Sequence, residues 1–169
     1  MENISSQISG NHILTTGLGR TMQAEEHFCK VTRQIMKCVS SAEFYRMLGH
    51  VLALSEQHQQ KLMGSFGVVA ATSSETAADE FEQHIDAVAC GKQTAAANDL
   101  TYTWLITKII QRKIDCYEQV LSIIDSQQLH HHKRILGAAL SDETATELFM
   151  QELAERLFLR QFPEHASLA

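Results

Sequence analysis

The sequence predicts an all-α protein, and three observations carry that prediction. Apolar residues recur at helical spacing over long runs. Punctuation is sparse: 169 residues contain eight glycines and one proline, Pro163, close to the end. Two segments, Ser40-Ser41-Ala42-Glu43 and Thr72-Ser73-Ser74-Glu75, place a glutamate three residues after a hydroxyl, the start signal of a helix.

Residues 1–14 are polar and read as a loose tail. Gly17 and Gly19 blur the start of the first helix, placed between Thr15 and Thr21, and it runs to Val39. Leu18, Met22, Cys29, Met36 and Val39 form its apolar stripe at multiples of a heptad, and Glu25 and Thr32 fall on the same stripe. A capping box, with the Ser40 hydroxyl accepting from the Glu43 amide, ends the first helix in a tight turn, so the next helix is its antiparallel neighbour. That second helix repeats the pattern with Phe44, Leu48, Val51, Ser55, His58 and Leu62, and stops around Gly64–Gly67.

A shorter helix runs from Glu75 to about Cys90, with Phe81, Ile85 and Val88 on one side and Gly91 as its stop. The third long helix, Asn98 to Ser126, has a wide apolar face including Leu105, Ile109, Tyr117 and Ile124, so it is central. Residues 127–140 carry His130-His131-His132 and no assigned element. Ser141-Asp142-Glu143 reads as the capped, acid-rich start of the last helix. It continues to about Phe162, with Phe149, Met150, Leu153 and Leu157 facing the core; residues 163–169 form a tail. Residues 15–162 are therefore one domain of four long helices. A short helix in the connection between the second and third gives the ferritin-like order.

Composition excludes several classes. The net charge of −6, with no basic block, speaks against nucleic acid. No apolar run reaches membrane-spanning length, and MENISSQISGNH has neither the basic start nor the apolar core of a secretory signal. Cys29, Cys38, Cys90 and Cys116 show no CxxC spacing, as expected of reduced thiols in the cytoplasm. No spacing supports nucleophilic catalysis or a phosphate loop. Tyr117 reads as a packed aromatic whose hydroxyl finds a partner.

Glu25 and His58 are the informative residues. A carboxylate on an apolar seam is costly unless it is paired or bound to metal. The two are expected to meet across the hairpin, either hydrogen-bonded to each other or sharing a metal.

The segment Ala24-Glu25-Glu26 through Leu62 resembles the first hairpin of the YciE/YciF-type ferritin-like family of bacterial stress proteins, with His58 matching a histidine of its second helix. Lys113-Ile114-Asp115-Cys116-Tyr117-Glu118 is similar to the family's Lys-Val-Glu-His-Tyr-Glu, and Asp142-Glu143 through Glu155 to its last helix. The resemblance implies a di-metal site for iron or manganese. Glu25 and His58 would be the ligands of the first hairpin, Glu118 (with Asp115 beside it) that of helix three, and Glu155 that of helix four. It also implies a homodimer. The chain departs from the pattern where the paired acids of helix two fall at Ala53 and Leu54, and where the helix-three histidine is Cys116. On a helical wheel Glu118 lies at the edge of the apolar face and Glu155 opposite Met150 and Leu153. Two functions follow: a ferritin-like bundle with a reduced di-metal site, or a metal-free bundle serving as an oligomerising or protein-interaction module.

Overall fold

Four helices make up the bundle in the computed structural model, which describes residues 2–67, 95–126 and 130–163. They are α1 (Glu2–Ile35), α2 (Ala42–Phe66), α3 (Ala95–Ser126) and α4 (His130–Gln161). The expected short helix with Phe81, Ile85 and Val88 lies outside the described residues.

Helix α1 starts at Glu2, where a tail over residues 1–14 was expected. Gly17 lies inside the helix because α3 passes close by. A Cβ there would sit 2.9 Å from the Val120 Cγ2, so glycine is the residue that admits this approach. The turn after α1 is fastened from α3. The Asp99 carboxylate accepts from the Ser40 and Ser41 amides at 3.0 and 2.7 Å and from the Ser40 hydroxyl at 2.7 Å. Ser40 is thereby taken up, and the cap of α2 is Ser41, one residue later than the sequence suggested. The Ser41 hydroxyl accepts from the Phe44 amide. Glu43 instead pairs with Arg156 and Arg160 of α4. Gly67 closes α2 in the left-handed conformation at φ 62°, its amide donating to the Met63 carbonyl.

Asp99 at the start of α3 touches the α1–α2 turn, and Phe66 at the end of α2 stacks on His132 at the start of α4. Helices α2 and α3 therefore run parallel, and the chain between them joins opposite ends of the bundle. This order is ferritin-like rather than up-down-up-down. The seams α3–α4, α1–α3 and α1–α2 are well packed, and among these neighbouring pairs the fourth seam, α2–α4, is the loosest.

The last helix departs most from expectation. Ser141-Asp142-Glu143 is not its start: α4 is continuous from His130. Leu136, Ala139, Glu143, Thr146, Met150, Leu153 and Leu157 form one buried stripe at alternating steps of three and four. Burial of Leu136 and Ala139 on that stripe carries the helix through residues 130–140. Phe149, expected in the core, is exposed, because it lies one residue off the stripe beside buried Met150.

The apolar interior is divided in two. One cluster gathers Phe28, Ile35, Phe44, Ile106 and Met150, among others. The second includes Leu18, Met22, Leu62, Val120 and Leu136. A layer of polar side chains lies between them.

Candidate metal centre

Each helix puts at least one ionisable side chain into that layer: Glu25 from α1, His58 from α2, Lys113 from α3 and Glu143 from α4. Each stands on its helix's apolar stripe, which is why it points inward. Ser55 lies three residues, about one turn, before His58, and Tyr117 one turn after Lys113. None of these six residues is more than 2 % exposed.

The expected meeting of Glu25 and His58 occurs, with His58 Nδ1 3.3 Å from Glu25 Oε1. The same nitrogen is 3.1 Å from Glu143 Oε1. The other ring nitrogen, Nε2, is 3.2 Å from the Asp142 carboxylate, whose side chain is 43 % exposed. Both ring nitrogens face carboxylates, which suits an imidazolium donating from each.

Lys113 Nζ lies 2.9 Å from Glu25 Oε2, 2.6 Å from Glu143 Oε1 and 3.5 Å from the Ser55 hydroxyl. Its three hydrogens thus have three acceptors. The ammonium also sits 4.2 Å from the centre of the Phe28 ring, a favourable place for a cation. Glu25 is held further by the Ser55 hydroxyl and by the Tyr117 phenol, which donates to Oε1 at 2.6 Å.

Charge states follow from these contacts. Burial alone would push His58 down, but its hydrogen bonds to Glu143 and Glu25 outweigh that and lift it to about 9. Burial would push the Glu25 carboxyl up; His58, Lys113, Ser55 and Tyr117 together hold it well below the usual carboxylate range. Burial and the adjacent Glu25 charge push the Tyr117 phenol up, so it stays a donor. The layer therefore holds two carboxylates against an ammonium and an imidazolium.

Glu25, His58 and Glu143 form a candidate metal-ligand group by spacing alone: one ligand atom from each lies within 4.8 Å of the others. A pair of metals fits poorly, because the ammonium of Lys113 already stands between the two acids at hydrogen-bond distance. Of the residues carried over from the family resemblance, Glu25 and His58 come together. Asp115, Glu118 and Glu155 are exposed and stand outside the group. Glu118 follows inward-facing Tyr117 and is turned about 100° from it around the helix axis. Glu155 lies off the buried stripe of α4. Lys113 and Glu143 had not been singled out. Lys113 lies seven residues after Ile106 and four before Tyr117, and Glu143 seven before Met150; heptad steps from those core residues reach both.

No family model matches the sequence, and no curated protein matches it. Solved structures do. The stress protein YciF of E. coli superimposes with a TM-score of 0.79 over 88% of this chain and 96% of its own, at 12% identity. YcfI of Rhodopseudomonas palustris, named as a candidate structural protein, gives 0.76 over 84% and 92%, at 16% identity. No described helix is long and apolar enough to cross a membrane. The chain has the all-α, four-helix bundle fold of the YciF-type stress proteins.

Proposed function

We propose that this chain is a non-catalytic bundle protein that acts through its outer surface as a self-associating module, with its ionic centre serving the fold rather than a reaction. One observation carries the reading: both acids at the centre are matched by cations of the chain itself, at 2.6–3.3 Å and at no more than 2 % exposure. An open coordination position and a route for substrate are what oxygen or peroxide chemistry at a di-metal site requires. The surface supplies apolar material for a homodimer, with Trp104, Leu148, Phe149 and Tyr45 all exposed. The structural description of YcfI agrees with such a role.

A second reading, a single iron or manganese ion at Glu25, His58 and Glu143, rests on the proximity of their ligand atoms. One experiment separates the two. The protein is purified without chelator, analysed for metals, and melted with and without EDTA and with added Mn(II) or Fe(II). Light scattering gives its mass in the same preparation. The module reading expects a dimer, no stoichiometric metal, and a melting temperature that ignores both additions. About one metal per chain, with a melting temperature that falls in EDTA, establishes the ion reading instead.

A further inference from the structure

We infer that Lys113 is a built-in counter-cation occupying the place of a metal ion, and that Glu25, His58 and Glu143 form a latent site for one divalent cation that this side chain keeps closed. The inference deepens the metal-free reading above and rests on it. Its geometry is that of a coordination shell filled from within. Two carboxylates from α1 and α4 converge on one ammonium, at 2.9 and 2.6 Å. The Ser55 hydroxyl is the third acceptor, and the Phe28 ring lines the remaining side.

Charge counting explains the closure. Two acids and two bases leave the buried layer neutral. A divalent ion entering beside Lys113 would give a dry interior two excess positive charges, facing an ammonium a few ångströms away. With a neutral side chain at 113 the balance changes. The two carboxylates then match a divalent ion, and His58, giving up its Nδ1 proton to solvent as the ion enters, supplies an imidazole nitrogen. Asp142 already sits 3.2 Å from His58 Nε2. It would hold that N–H and aim Nδ1 inward, the carboxylate–histidine arrangement that commonly orients a metal-bound imidazole. Carboxylate oxygens with one imidazole suit manganese, iron or cobalt.

The test is a Co(II) titration of the full chain, followed by visible absorption and equilibrium dialysis. It compares wild type, Lys113→Gln and Lys113→Gln/Glu25→Gln. The expected result is about one cobalt per chain in Lys113→Gln, bound at least tenfold more tightly than by wild type, and lost again in the double variant. Cobalt refused by a folded Lys113→Gln overturns the inference and leaves the metal-free function standing. Cobalt bound equally by wild type overturns both. Should Lys113→Gln lose its helical signal, 15N-lysine spectra of wild type and Glu143→Gln decide. An ammonium resonance protected from exchange, and displaced by Glu143→Gln, supports the assignment. Exchange as fast as that of the surface lysines overturns it.

Discussion

Each helical hairpin brings one acid and one base to the middle of the bundle, in opposite order along the chain. In α1–α2 the acid Glu25 comes first and His58 answers at 3.3 Å; in α3–α4 the base Lys113 comes first and Glu143 answers at 2.6 Å. The bonds between hairpins are as short as those within them: Lys113 to Glu25 at 2.9 Å, His58 to Glu143 at 3.1 Å. Neither hairpin therefore completes its own pairing, and each acid is shared by both bases. A local ion pair forms with its helix and adds little. This ring of four exists only once the hairpins dock, and before docking its groups are hydrated. The hairpins also differ in kind: the base of the first is an imidazole, whose proton the buried acids hold up to about pH 9, and that of the second an ammonium.

The strongest way to break this comparison is to remove the most shared acid. Glu25 faces His58, Lys113, Ser55 and Tyr117. Glu25→Ala leaves two buried cations with one buried carboxylate, Glu143, and the half-exposed Asp142, and we expect a loss of about 3–5 kcal/mol in urea unfolding. A loss under about 1 kcal/mol would mean that the layer is solvated.

Changing the pH sharpens the difference between the two bases. Folding raises His58 from its ordinary 6.5 to about 9. Its contribution is fully present below pH 6.5 and drains away as pH rises through 9, about 3 kcal/mol in all. Glu25 acts with the opposite sign: its lowered carboxyl stabilises above its ordinary 4.5, and that support is lost as the solution is acidified below it. Urea midpoints should therefore be highest between about pH 5 and 6.5, and His58→Gln should flatten the alkaline limb. An alkaline slope unchanged in that variant would assign the titration to another group.

The smallest expected effect comes from the tie between the hairpins at the end of the bundle. Asp99 of α3 accepts three hydrogen bonds from Ser40 and Ser41. Asp99→Ala should cost about 1–2 kcal/mol. It should leave the pH profile in place, because the ionic layer lies elsewhere.

The two hairpins were not equally legible in the sequence. In the first, an acid and an imidazole are the ionisable residues on stripes that otherwise hold apolar side chains and the small hydroxyls of Thr32 and Ser55, so both stand out. All six inward residues read for helix two, Phe44 to Leu62, are the buried residues of α2. In the second hairpin the same device is camouflaged. Lys113 follows Arg112, and Glu143 follows Asp142 and Ser141, so each looks like part of a solvated or capping charge run. Reading Ser141 as a cap cut α4 short and hid the stripe from Leu136 to Leu157 on which Glu143 stands. Glu118 and Glu155 entered through a family motif and not through periodicity, and both are exposed. Gly17 could not be read from the sequence, since its reason is a contact with Val120 more than a hundred residues away.

The position of the ionic ring between two greasy clusters has a consequence for alignment. Aliphatic side chains tolerate sliding, and a bundle made of them alone has many nearly equivalent registers. Shifting any one helix by a turn, about 5.4 Å, would drive one of these four charges into hydrocarbon and orphan the others. The ring thus acts as a dowel, admitting one lengthwise setting of the helices and penalising its neighbours.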